Sequence, residues 1–413
     1  MSFSLRLILI LIILLAVEFY FIKKITGSLK FINPGISRKK IKIPLTAGLI
    51  FFNLYPFLGT ALWIYARATQ NDAITAPENW LLDYFIIFPF WIITLIIFQT
   101  LIYFLPIDLL KLIFYPLYKK YKTIIRKYES RFILTVAAFF FVYVPARVVY
   151  DYNYVSVRPV EYFRENLPAE LEGFKITLIA DTQADRFTDE TRLNNFIEKA
   201  NSTDPDLILI AGDVITGTPK YINTAAEALG KLKAEHGVYS CVGDHDNWAY
   251  RYDTPRSRRE IKEALNEQKV QMLHNENVII GVGDTSKIAV SFITFTYSEK
   301  IEETALDSLL NVFDKEQIKI LLTHQPRPEI FNKAVEKKYN LIFAGHTHGG
   351  QLTFLFPFFN PSITHIETNY VKGDFWFGNT LMIISRGLGM SLAPVRYNST
   401  PEVTVIKLTG KKN

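Results

Sequence analysis

Apolar positions follow one pattern in the first 150 residues and another in the rest of the chain. Four long runs, Leu5–Ile22, Ala47–Ala66, Tyr84–Leu105 and Phe132–Tyr150, are almost continuously apolar. Each approaches the ~20 residues that a helix needs to cross a ~30 Å hydrocarbon layer. The first run has no small-residue cleavage site and three more runs follow it, so it reads as an anchor and not a removable leader. Trp80, Tyr84, Tyr103 and Tyr150 stand near proposed ends, where amphipathic rings favour the interface. Glu18 and Asp83 also fall near ends, and no span carries an obvious buried charge pair or a broken helix. Anchoring is therefore expected, not transport.

Beyond residue 150, short strand-type runs stop abruptly at Asp or His, often through a glycine. Phe174–Ala180 ends at Asp181, Leu207–Gly212 at Asp213, and Val238–Gly243 at Asp244. Ile318–Thr323 ends at His324, and Leu341–Gly345 at His346, with His348 two positions on. Continuous apolar runs predict strands covered on both faces. Helical patterns fall between them: from a cap at Thr188 or Asp189 to about Asn201, from Asn223 to Glu235, and from Ser257 to Glu267. The alternation predicts a layered α/β domain over residues 151–413, behind a transmembrane domain over residues 1–150. In such sheets reactive groups collect beyond the carboxyl ends of strands.

Charge adds an orientation. The net charge is +6, but the basic residues cluster between apolar runs. Lys23, Lys24, Lys30, Arg38, Lys39, Lys40 and Lys42 follow the first run, and Lys119, Lys120, Lys122, Arg126, Lys127 and Arg131 follow the third. Residues 67–79 hold only Arg67 against Asp72 and Glu78. The positive-inside rule puts the two basic segments in the cytoplasm, and the N-terminus and everything after residue 150 outside it. Membrane lipid is the partner this clustering predicts, and no nucleic acid is expected. The lone Cys241 excludes an intrachain disulfide and a cysteine-built zinc site.

The segment "FAGHTHGG", Phe343 to Gly350, places two of the seven histidines in one glycine-rich turn. Taken singly, an Asp or His after a strand is an ordinary cap or turn residue. Five strands ending in such residues would gather carboxylates whose burial is unfavourable without cations. Histidines at i and i+2 point apart on a strand, yet on a tight loop at Gly345, Gly349 and Gly350 they can reach neighbouring ions. His236 is expected at a helix C-terminus, and no partner is assigned to His274 or His365.

The ordered motifs "IADTQ", "PDLILIAGDVITG", "HGVYSCVGDHD", "LLTHQP", "FAGHTHGGQ" and "SRGLGMSLAPVRYNSTPEVTVIKL" resemble the calcineurin-like metallophosphoesterase superfamily, in its membrane-attached bacterial branch, over roughly residues 160–408. The resemblance implies a four-layer α/β/β/α sandwich with two divalent metal ions at one edge. One ion would take Asp181, Gln183, Asp213 and His348. The other would share Asp213 and take Asp244, His324 and His346. His245, positioned by Asp246, would face the phosphate as acid or charge stabiliser while a hydroxide between the ions attacks phosphorus. This sequence departs from the family pattern in three places: Gln183 stands for a histidine, Asp244 for an asparagine, and Thr216 for an acid. The first two exchanges favour hard ions, so Mn²⁺ is expected, with Fe or Zn ions as alternatives.

Arg251 and Arg256, near Arg258 and Arg259, and Arg386 in the late motif are candidate grips for a phosphorylated substrate. "FLFPFF", Phe354 to Phe359, predicts either a hydrophobic wall that suits a lipid-linked substrate or a buried strand and turn. A membrane-anchored phosphohydrolase is the leading expectation. Its rival is a phosphate- or metal-binding sensor that has lost turnover through Gln183 and Asp244.

Overall fold

A computed structural model of the chain describes residues 3–69, 77–313 and 318–411. It forms two compact units. One is Met1–Val149 together with Phe354–Pro361; the other is Tyr150–Thr353 together with Ser362–Asn413. The segment Phe354–Pro361, placed by the sequence pattern in the second domain, thus belongs with the first.

The first unit contains helices long and apolar enough to cross a membrane: Leu5–Ile32, Arg38–Ala68, Trp80–Ile113 and Lys122–Asn153. The helices outrun the apolar runs that predicted them. Lys23, Lys24 and Lys30 lie in the last turns of the first helix, and Arg38 to Lys42 open the second. Long basic side chains can carry their charge to the interface from a helix end, so they need no loop. Asp72 lies outside the described residues.

The longer helices also correct the reading of polar groups. Glu18 sits within the first helix, buried, and accepts bonds from the Asn53 side chain at 2.7 and 2.9 Å. Lys24 and Lys111 each pair with both Asp108 and Glu129 at 2.5–2.8 Å. Apart from Asp108 and Lys111, on one helix, these partners are far apart in sequence, which is why no local pattern announced them. Gln99, fully buried in the third helix, donates to Leu355 O at 2.9 Å and accepts from Leu355 N at 2.8 Å. Those two bonds satisfy a strandless backbone that would otherwise be costly to bury. Phe354 and Phe356 add ring contacts to Phe98 and Tyr103, while Phe358 remains 87% exposed. Ile25, Phe104 and Ile133 join the first, third and fourth helices in a small apolar core.

The second unit is built on twelve strands among the described residues: β1 (Ser156–Phe163), β2 (Lys175–Ile179), β3 (Leu207–Ile210), β4 (Val238–Cys241), β5 (Val270–Leu273), β6 (Glu276–Val282), β7 (Ser286–Ile293), β8 (Ile318–Thr323), β9 (Leu341–Ala344), β10 (Gly373–Phe377), β11 (Thr380–Ile384) and β12 (Glu402–Thr409). They form two six-stranded sheets, ordered β1-β12-β2-β3-β4-β5 and β10-β11-β9-β8-β7-β6. Strands β2 to β5 run parallel, as do β7, β8, β9 and β11.

Strand alternation decides which side chain joins which layer. Leu207 and Leu209 of β3 enter a core shared with Ile320 and Leu322 of β8, so the sheets face each other. Ile208 and Ile210 point the other way, into a core with the helices Glu190–Asn201, Ile222–Leu229 and Thr254–Glu267. Helices Glu303–Leu310 and Pro328–Glu336 cover the second sheet. The unit is therefore a four-layer α/β/β/α sandwich. Each fully buried Leu or Phe here contributes about 1.5–3 kcal/mol.

Helix limits differ from expectation where a local signal was read too far or too late. Asp189 caps the helix Glu190–Asn201, accepting from Arg192 N at 3.0 Å. The next helix stops at Leu229 and not Glu235, with Gly230 as its C-cap, where a Cβ would sit 2.8 Å from the Gln268 side chain. The third begins at Thr254, three residues early, with Asp253 as its cap and Pro255 in its first turn. His236 consequently lies on a turn, packed against Phe174, and not at a helix C-terminus.

Candidate metal centre

Because β2, β3 and β4 are parallel, and β8 and β9 likewise, the residues just past their carboxyl ends gather at one edge of the sandwich. Asp181, Gln183, Asp213, Asp244, His324, His346 and His348 all meet there. His324 Nε2 is 3.2 Å from Asp213 and 3.3 Å from Asp244. His346 Nδ1 is 3.0 Å from Asp244 and 3.3 Å from His324 Nε2, and its backbone N–H donates to Asp181 at 3.0 Å. His348 Nε2 lies 3.7 Å from Asp181. Two groups, Asp244–His324–His346 and Asp181–Asp213–His324, each bring their ligand atoms close enough to hold one ion.

The backbone is bent to achieve this. Asp181, Gln183, Asp213, His346 and His348 all have φ between 49° and 70°. Left-handed conformations are uncommon outside glycine and cluster at functional sites. Two glycines admit the resulting crowding. A Cβ on Gly243 would sit 2.2 Å from Asp213 Oδ1, and one on Gly387, itself at φ 66°, 2.7 Å from Asp181 Oδ2.

Two buried atoms lack partners in a way that suits cations. Gln183 donates its amide N–H to Asp213 Oδ2 at 2.8 Å, which leaves its Oε1 buried without a hydrogen bond. His348 Nδ1 is likewise buried and unpartnered. Buried polar atoms are normally satisfied. An oxygen and a nitrogen left open beside carboxylates and imidazoles match the donor set of a divalent ion. The ring of His324 is turned to suit a cation as well. Its Nδ1–H donates to Ala211 O at 2.7 Å, which points Nε2 toward the acids.

Without ions, protons do the balancing. Burial works against the charge of His324, yet Asp213 and Asp244 hold its pKa well above the usual value. His346 is likewise opposed by burial and raised by Asp244 to about 9. Burial pushes Asp181 up to about 6, with His324 partly offsetting. Burial also opposes the charge on Asp244, but His324 and His346 keep its pKa well below the ordinary range. His348 is driven well below its usual value by burial, with Arg396 adding to the effect, and so stays a neutral imidazole.

His245 and Asp246 follow Asp244 on a tight turn. The expectation that Asp246 positions the His245 ring is not met. The Asp246 carboxylate accepts from the backbone N–H groups of Asp213, Val214 and Gly243 at 2.8–3.0 Å, stapling two site loops together. The His245 ring is held instead by the Thr216 carbonyl at Nδ1 and by Ser391 Oγ, 3.1 Å from Nε2. Thr216, where an acid was expected, uses its hydroxyl to bond Gln183 O and Asp185.

The candidate arginines behave differently from one another. Arg256 pairs with Glu260 and lies over Tyr250, and Arg258 pairs with Glu299 beside His274. Arg386 pairs with Glu402 at 3.2 Å. Arg251 is exposed on a turn and has no ion pair among the described residues. Several supporting residues were not singled out in the sequence. Gln325 donates to Asp244 at 2.6 Å, and Tyr297 N to its other oxygen at 2.7 Å. Glu367 lies 3.3 Å from His346 Nε2. Arg396, fully buried, donates to the carbonyls of His348, Gly389 and Ser399. Two of these could have been found: Gln325 as the neighbour of His324 in "HQP", and Arg396 from its place in the late motif. His365, assigned no partner, bonds Ser362 in a small capping box.

Residues 174–350 match the family model described as calcineurin-like phosphoesterase. The chain is 30% identical over 246 residues to the uncharacterized metallophosphoesterase YkuE of Bacillus subtilis, covering 59% of this chain and 81% of that one. It is 25% identical to the uncharacterized metallophosphoesterase Cj0846 of Campylobacter jejuni, over 92% of this chain and 96% of that one. It is 28% identical to a transmembrane protein with metallophosphoesterase domain of Bos taurus, over 61% of this chain and 57% of that one. With its membrane helices and its edge of metal-ligand residue types, this chain belongs to the calcineurin-like phosphoesterase family and is a metal-dependent phosphoesterase.

Proposed function

We propose that the protein is a membrane-bound phosphohydrolase that uses a pair of divalent cations held by Asp181, Gln183, Asp213, Asp244, His324, His346 and His348. The observation that carries this reading is the convergence of those seven side chains with two of their buried donor atoms left open. Asp213, grouped with Asp181 and His324 and 3.2 Å from His324 Nε2, would be the residue shared between the two ions. Bound ions would polarise the phosphoryl oxygens and supply an activated water at neutral pH. The chain's own residues do the rest. His245 Nδ1–H bonds the Thr216 carbonyl, which fixes the ring and makes Nε2 the atom that exchanges a proton. A proton on Nε2 would be delivered to the leaving oxygen of a phosphoester. Asp246 keeps the loops of Asp213 and His245 in register. Arg251 is the remaining candidate grip on substrate phosphate.

The oxygen-rich set, with Gln183 and Asp244 in place of a histidine and a neutral amide, favours Mn²⁺ over Zn²⁺. Purification without added metal tests this: stoichiometric zinc alone would contradict it. The basic ends of the helices support an orientation with the phosphoesterase unit outside the cytoplasm. Protease added to cells with an intact cytoplasmic membrane should digest that unit, and survival until the membrane is lysed would reverse the orientation. The substrate class that fits a membrane unit with the exposed Phe358 and Phe359 is a lipid-linked phosphate. A screen of the full chain against phospholipids, nucleotide-sugar lipids and a soluble aryl phosphate tests that choice. Preference for the soluble ester over every lipid would overturn it.

A further inference from the structure

The membrane unit holds a second charged site, separate from the metal centre. A cavity of about 570 Å³ opens among the last turns of the first and third helices and the first turns of the second and fourth. Six basic and two acidic side chains line it. Its charged groups are arranged in two tiers. Lys24 and Lys111 form a closed square with Asp108 and Glu129, every edge 2.5–2.8 Å. That tier is electrically balanced. Each ammonium has three donors and uses two on the acids, so each keeps one to offer.

The other tier is not balanced. Lys23, Arg38, Lys42 and Arg126 line the same cavity, and among the described residues none has an acid partner. Arg126 is held over the Phe31 ring at 5.2 Å, which orders its guanidinium without neutralising it. The four come from three different helices, so their convergence is a property of the fold and not of a local basic run. Uncompensated cations beside a low-dielectric phase are unfavourable, and an anion would relieve them. Basic pockets between membrane helices are suited to lipid headgroups, whose phosphates lie at the depth of helix ends. Guanidinium groups add a planar fork that fits phosphate oxygens.

We propose that this cavity binds one phosphate-bearing anion, the headgroup phosphate of an anionic membrane lipid. The site is independent of phosphoester hydrolysis. Native mass spectrometry of the detergent-purified full chain tests it, with phosphatidylglycerol, phosphatidylcholine and inorganic phosphate as probes. One phosphatidylglycerol per chain should be retained, while phosphatidylcholine should exchange freely. The triple variant Arg38→Gln, Lys42→Gln, Arg126→Gln should weaken retention about a hundredfold, from about fivefold for each charge removed. The control Lys39→Gln, Lys40→Gln, Lys127→Gln removes the same charge from the same ends but outside the cavity, and should retain the lipid. Matching thermal melts show that both variants fold; the wild-type comparison of probes stands without either. Retention of inorganic phosphate with the same variant dependence, and no lipid, would support the phosphate site and assign it a soluble source. Equal retention of both lipids by the wild type, or equal loss in both triple variants, would overturn the proposal.

Discussion

The two charged clusters of this chain are built on opposite plans. In the membrane unit, Lys24, Lys111, Asp108 and Glu129 sit on regular helices and neutralise one another. In the phosphoesterase unit, Asp181 and Asp213 sit at left-handed backbone positions and Asp244 opens a tight turn, with His324 and His346 set against them. The first cluster is complete as it stands, and the surplus positive charge lies beside it on Lys23, Arg38, Lys42 and Arg126. The second leaves Gln183 Oε1 and His348 Nδ1 open, with a surplus of negative groups that a cation would answer. Polar burial alone therefore does not mark a catalytic site. Backbone strain combined with unsatisfied ligand atoms does.

Substitutions can break this contrast in graded fashion. The largest effect is expected from Asp213→Ala, which removes the proposed bridge between the two ions. It should abolish metal retention together with turnover, by metal analysis and phosphatase assay on one preparation. His245→Ala should keep both ions and lose about 10²–10⁴-fold in kcat, the usual worth of a positioned acid. Unchanged kcat would remove His245 from the chemistry. Asp246→Ala leaves three buried N–H groups without an acceptor. Its thermal unfolding should reveal a loss of about 3 kcal/mol or more, and a melt that overlays the wild type would refute the staple.

Smaller effects are expected in the membrane unit. Gln99→Leu strips two hydrogen bonds from Leu355 and should destabilise the segment Phe354–Pro361 by about 1–3 kcal/mol. Faster hydrogen exchange confined to that segment is the expected signature. The smallest effect belongs to Phe358→Ser. That side chain is exposed, so stability should hold, while kcat/KM falls for a lipid-linked phosphate and not for a soluble aryl ester. Equal changes for both substrates would separate the segment from lipid recognition.

How much of this was legible in the sequence depended on distance along the chain. Asp181, Asp213, Asp244, His324 and His346 each close a short apolar run, so a strand signal and a chemical signal coincide there. The sandwich followed from the same alternation and from the family motifs. Tyr297 and Glu367 were invisible because they reach the site from loops without periodicity, and Ser391 and Arg396, though inside the late motif, gave no sign of the partners they meet. The role of Asp246 was misread because adjacency to His245 suggested a side-chain partner, whereas its carboxylate turns back to three N–H groups. Phe354–Pro361 was misplaced for a similar reason. Its sequence neighbours belong to one unit, but the Gln99 amide that satisfies its backbone lies 256 residues before Leu355, in the other.

Metal content is the most direct measure of whether these loops were bent around cations. The full chain should be purified in detergent, stripped with chelator, reloaded with Mn²⁺ and quantified by plasma mass spectrometry. Two ions per chain are predicted for the wild type, and a large loss for Asp213→Ala. An empty wild type after reloading, or an Asp213→Ala chain that holds as much metal as its parent, would contradict the dinuclear centre.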